Sequence, residues 1–103
     1  MAYSTASPPR LISQGIGGIV GATGPGNIWY YGNTDAVTAV RVSGYFTNGY
    51  SLGMRKNDVL FYVKTDASPL TLQVMIVNEA TKSGSTETVD LSDGTAITST
   101  DSD

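Results

Sequence analysis

The chain has 103 residues, no cysteine, no histidine, and nine acidic against six basic side chains for a formal net charge of −3. That length holds one domain, since autonomous domains typically run to about 100–150 residues, and the composition rules out disulfides and any metal site that needs histidine. The six basic residues are scattered, so the concentrated cationic surface that grips a phosphate backbone is missing and no nucleic-acid partner is expected.

Leu, Ile, Val and Phe together number 23, close to the roughly 20% below which chains tend to stay disordered, so the core must be thin. Self-association is the expected supplement. No stretch approaches the ~20 apolar residues that span a bilayer, and the amino terminus lacks the basic and apolar regions of a signal peptide. The expectation is assembly in the cytoplasm with no membrane partner.

Residues 1–27 read as an extended arm. Met1 to about Pro9 offers almost nothing to bury. From Leu11 to Gly26 single apolar residues alternate with glycines, a pattern too costly in backbone entropy for a helix and too sparse in side chain for a packed strand. Such a segment gains order by lying against another surface, which makes Leu11, Ile12, Ile16 and Ile19 candidate partner-binding residues. Gly15, Gly17, Gly18 and Gly21 do not form a dinucleotide loop. The third glycine of Gly-x-Gly-x-x-Gly is one position out, no Lys-Ser or Lys-Thr follows, and Gly24-Pro25-Gly26 is a poor start for a helix.

The body, residues 28–98, opens on Ile28-Trp29-Tyr30-Tyr31, a short strand with Trp29 and Tyr31 on one face and Ile28 and Tyr30 on the other. One face is core and the other a half-exposed surface, or the three aromatics form a stacking platform or an interface. Trp29, Tyr30 and Tyr31 are therefore candidate partner-binding residues. Residues 36–46 support helix or strand. Thr34 or Asp35 as N-cap, with Val37, Val40 and Gly44 on one stripe, favours a short helix of about three turns ending near Phe46, with Asn48-Gly49 as its left-handed exit. Arg55-Lys56 and Asn57-Asp58 read as a solvated turn.

A β-branched and aromatic run, Asp58–Lys64, and the alternating Leu70–Val77 flank turn chemistry at Thr65–Pro69, which predicts an antiparallel hairpin. Leu70, Leu72, Val74 and Ile76 fall on one face, the apolar face a thin core would need. Asn78–Ser85 reads as a polar loop. Thr86–Leu91 alternates, and Asp93-Gly94 is a hairpin signal that returns Thr95–Thr98 beside it. Residues 99–103 form an acidic polar tail. The fold class is mainly β, a small antiparallel β-sandwich or barrel with one short helix and an extended N-terminal arm.

Without His or Cys the commonest general base and the most nucleophilic side chain are both missing, and the acids fall mostly in turns and the carboxyl-terminal region. No enzyme, catalytic residue or cofactor is expected. The aspartates from Asp90 to Asp103 lack the Asp-x-Asp-x-Asp-Gly spacing and distal Glu of a calcium loop, so no metal site is expected either.

The succession Trp29-Tyr30-Tyr31, Thr34-Asp35-Ala36-Val37, Ser43-Gly44-Tyr45-Phe46, Gly53-Met54-Arg55 with Asp58-Val59, Val89-Asp90-Leu91 and Thr95-Ala96-Ile97-Thr98 resembles small β-rich virion-associated proteins of tailed bacteriophages and prophages, over about residues 29–98. The resemblance implies a capsid decoration (cement) protein, often trimeric, located on the virion surface with the major capsid protein as partner. A head-fibre or tail-associated module recognising host glycans through Trp29, Tyr30 and Tyr31 is the alternative. A cytoplasmic regulatory or scaffolding domain of a prophage is a further one.

Overall fold

The aromatic and β-branched runs become strands and the glycines punctuate them, in a computed structural model that describes residues 3–13, 27–68 and 70–99. In chain order the elements are β1 (Arg10–Ser13), β2 (Ile28–Asn33), α1 (Val37–Val40), α2 (Gly49–Leu52), β3 (Val59–Lys64), β4 (Thr71–Ser83), β5 (Thr86–Leu91) and β6 (Thr95–Thr98). They form one six-stranded sheet in the order β1-β2-β3-β4, with β5 and β6 both pairing on β4. All pairings are antiparallel except β2 with β3. The mainly β class therefore stands, as one antiparallel-rich sheet covered on one face by two short helices.

A parallel pair needs a crossover between its strands, and residues 34–58 supply it, carrying α1 and α2 over one face. Register decides which side chains they meet. On the covered face Trp29 aligns with Leu60 and Met75, and Tyr31 with Tyr62 and Gln73. Val40, Phe46 and Met54 from the crossover, with Val77, Val89 and Leu91 from β4 and β5, complete the buried core. On the opposite face three rows run across the sheet: Ile28–Val59–Ile76, then Tyr30–Phe61–Val74–Thr95, then Gly32–Val63–Leu72–Ile97.

The antiparallel hairpin of β3 and β4 forms as expected, but the facing of its apolar stripe is reversed. Leu72, Val74 and Ile76 share a face, and it is the open one. Met75 and Val77 point into the core instead, because pairing with Leu60 and Tyr62 places the odd-numbered residues under the crossover. Leu70, just before β4, is also exposed.

The expected loop at 78–85 is strand as far as Ser83. Thr81 pairs with Thr88 and Lys82 with Glu87, cross-strand partners that suit a ribbon wet on both sides. Ser83 pairs with Thr86, so Gly84 and Ser85 alone make the turn. Gly84 takes φ +61°, as two-residue hairpin turns require. The second predicted hairpin does not form: β6 pairs with β4, not with β5. The Ser92 amide donates to the Ile76 carbonyl at 2.8 Å and the Ile76 amide to Ser92 Oγ at 2.9 Å, so the chain hands over from β5 to β6 along one side of β4.

The three-turn helix shrinks to the single turn α1. Its N-cap is Ala36, with no side-chain cap. Val37, Thr38, Val40 and Val42 are β-branched and stiff in a helix. Gly44 then adopts φ +87° and donates its amide to the Val89 carbonyl at 3.2 Å, tying the chain to β5. Gly49 does not end this helix; it opens α2, and Gly53 at φ +111° closes it.

Residues 3–13 of the expected arm belong to the body. β1 pairs antiparallel with β2, with a bulge between Leu11 and Ser13, and Tyr3 packs against Tyr31, Tyr45 and Phe46. The rest of the arm, from Gln14 to Gly26, lies outside the described residues, as do the last four residues of the tail.

Candidate functional site

Two of the predicted partner-binding aromatics are spent inside the molecule. Trp29 and Tyr31 are buried, while Tyr30 is exposed. The period-two alternation separates Tyr30 from the other two, and the crossover decides that the paired face is the covered one. Leu11 and Ile12 on β1 are each about half exposed at the sheet edge. Ile16 and Ile19 lie outside the described residues.

Trp29 is held by a residue that sequence reasoning placed in solvent. The Asp58 carboxylate is buried at the start of β3. It accepts the Asn27 amide at 2.9 Å on Oδ1, and Trp29 Nε1 at 2.8 Å and the Arg55 amide at 3.0 Å on Oδ2. Asn57 before it takes φ +77°, a conformation asparagine tolerates better than most residues. Arg55 turns back over the Tyr50 ring at 3.6 Å and donates to the carbonyls of Tyr50 and Met54. Its guanidinium is thus engaged in holding the loop.

A second polar chain runs through the aromatic cluster. The Asn33 side-chain amide donates to Tyr31 Oη at 2.6 Å, Tyr31 and Tyr45 hydroxyls meet at 2.9 Å, and Tyr45 donates to Asp35 Oδ2 at 2.6 Å. With the Tyr45 proton directed at the carboxylate, Tyr31 is the donor in the middle link. Tyr62 donates to the Asp35 carbonyl, and Tyr3 to Asn48 Oδ1. Burial, then the bond to Asp35, pushes the Tyr45 phenol far above its ordinary range, and burial raises Tyr62 as well. Tyr3 is pushed up to about 12, by burial first and the neighbouring Tyr31 second, against the opposing bond to Asn48. These phenols are held neutral and donating, which braces the crossover on the sheet.

Among the described residues no buried side-chain nitrogen or oxygen lacks a hydrogen-bond partner, and no three His, Cys, Asp or Glu gather as a metal set. The surface carries what the interior leaves over. A cleft of about 280 Å³ lies at the β1–β2 edge, lined by Ala6, Ser7, Pro8, Arg10, Tyr30, Tyr31 and Gly32. Beside it stand Leu11 and Ile12. Beyond it spreads the open apolar face, on which Tyr30, Ile76 and Ile97 are 43%, 48% and 54% exposed. In comparisons with family models, curated proteins and solved structures, nothing matches this chain.

Proposed function

We propose that the chain is a structural virion protein, a capsid decoration (cement) protein that binds the major capsid shell of a tailed phage through the β1 edge. The observation that supports it is the edge strand β1 itself, on which Leu11 and Ile12 are half-exposed and Arg10 pairs with the exposed Tyr30 of β2. Edge backbone and apolar side chains together suit strand addition to a neighbouring sheet. The internal use of Asp58, Asp35 and the tyrosines fits a role in which the fold presents surfaces and does no chemistry.

Point variants test this better than truncation, because removing residues 1–24 also removes Tyr3 and β1 from the body. Purified protein mixed with undecorated shells is expected to co-sediment at a copy number near that of the major capsid protein. Leu11→Lys with Ile12→Lys is expected to lower occupancy at least about tenfold, the effect of ~1.4 kcal/mol, with the far-UV spectrum unchanged. Full occupancy by the double variant would sink the proposal.

The cleft favours one second reading, a head-fibre or tail-associated module for host glycans. Tyr30 offers an aromatic face and Arg10 a fork of donors. Glycan-array binding lost in Tyr30→Ala would support it; Trp29→Ala, the obvious alternative, removes a core residue and decides nothing.

A further inference from the structure

We propose that the cleft at the β1–β2 edge binds the carboxylate of an acidic sugar, a single hexuronate unit, through the Arg10 guanidinium and the Gly32 amide, an inference that rests on the glycan-binding reading of that cleft. Along a strand the main-chain groups of successive residues point to opposite sides. Two hydrogen bonds mark which side is which: the Val59 amide donates to the carbonyl of Asn27, just before β2, at 2.9 Å, and the Thr65 amide to the Asn33 carbonyl at 2.8 Å. The odd-numbered residues along β2 thus bond to β3, and Tyr30 and Gly32 turn their amides and carbonyls toward β1. Arg10 meets Tyr30 there. Two residues further along, the partner of Gly32 would be Pro8, which has no amide to give, and β1 itself begins only at Arg10. No backbone hydrogen bond from residues 3–9 to Gly32 takes the place of that rung. The sheet edge is therefore open at the exposed Gly32, inside the cleft that Ser7, Pro8, Arg10 and Tyr30 also line.

Charge selects the ligand. Arg10 is the only charged residue lining the cleft. Of the other arginines, Arg41 faces Asp93 at 3.6 Å and Arg55 is bonded to the Tyr50 and Met54 carbonyls, whereas the Arg10 side chain has no ion pair or hydrogen bond among the described residues. A guanidinium left free in a cleft without acids, on a chain of net charge −3, is a site for an anion, and its planar fork matches a carboxylate through two parallel bonds. The Gly32 amide adds a main-chain donor, and the Ser7 hydroxyl can meet a sugar hydroxyl. Tyr30, 43% exposed on the same cleft, offers an aromatic face for the apolar side of a sugar ring. The volume of about 280 Å³ lies just under the roughly 300–1,000 Å³ of sites for drug-sized ligands, which suits one ring and not a chain of them. A bare inorganic anion would leave Tyr30 and most of that space unused.

Titration of the full-length chain with methyl glucuronide at low salt, followed through the amide resonances in an NMR spectrum, tests it. The Arg10 and Gly32 amides are expected to shift and saturate, with a dissociation constant in the millimolar range. Methyl glucoside, which lacks the carboxylate, is expected to bind at least about tenfold more weakly, and so is glucuronide to Arg10→Gln, an exposed substitution whose fold is checked by an unchanged far-UV spectrum. Acetate and inorganic phosphate, which have no ring for Tyr30, are expected to be weaker by a similar factor. Arg41→Gln, on the crossover, should bind glucuronide as the wild type does. Equal affinity for glucoside and glucuronide overturns the inference while leaving the glycan reading in place; no shift at residues 7–10 or 30–32 with either sugar overturns both. Acetate or phosphate bound as tightly as glucuronide makes the cleft a simple anion site and overturns the inference, as does full affinity in Arg10→Gln or its loss in Arg41→Gln.

Discussion

Asp58 does more for this fold than its place in a turn suggests. Three donors converge on one buried carboxylate, and two of them, from Asn27 and Trp29, come from about 30 residues earlier in the chain. Asp58→Ala leaves those donors in a site with no replacement acceptor, and hydrogen bonds to charged groups contribute about 1.5–3 kcal/mol. Urea denaturation of the variant is expected to show a loss of about 3 kcal/mol or more, with a Tm lower by on the order of 15 °C. None of this was legible locally: an acid after Asn57 reads as a solvated turn, and only the closing of β2 on β3 takes it out of water. The opposite facing of Tyr30 and its two neighbours was legible, since it follows from strand geometry alone.

At the scale of elements, positions with special backbone geometry decided what propensity left open. The strands β2, β3 and β5 and the β3–β4 hairpin follow from β-branched runs bounded by turn residues. The length of β4 and the partner of β6 do not. Both depend on β4 holding β3 on one side and, on the other, β5 and β6 in succession, a long-range pattern with no local marker. Residues 36–46 were ambiguous for a physical reason, since their valines serve helix and strand alike, and the tie of Gly44 to Val89 settled it at one turn. Gly49 lies where α2 packs against Val89 of β5. A β-carbon there would sit 2.7 Å from Val89 Cγ2 and 3.2 Å from both Met54 Sδ and Phe46 Cβ. Gly49→Ala is therefore expected to destabilise by about 1–3 kcal/mol through overpacking. Val89→Ala in the same chain should return part of that loss, so a double-mutant cycle is expected to show the pair costing less than the sum of the singles.

For the molecule as a whole, the tyrosines set an alkaline limit. Tyr3 moves from 10.0 to about 12 on folding, and Tyr45 and Tyr62 are also raised. The fold holds the protonated phenol more tightly than the unfolded chain does. The stability linked to these groups is thus fully present below pH 10 and declines as pH climbs through 12. Urea midpoints recorded against pH, with phenolate absorbance as the second signal, are expected to stay level to about 10 and then fall. Tyr3→Phe is expected to flatten the first part of that fall. The composition pointed to a thin core; it could not announce that the hairpin's apolar stripe, read as interior, would lie on the open face of the sheet.

The strand order has a mechanical consequence. The first strand, β1, and the last, β6, lie at opposite edges of the sheet, because β4 pairs with β3 on one side and with β6 on the other. Tension applied along the chain loads the two edges first and would peel them bond by bond, as a zipper opens. The parallel β2–β3 seam, with Trp29 pinned to Asp58, lies between them and would be the last part to yield.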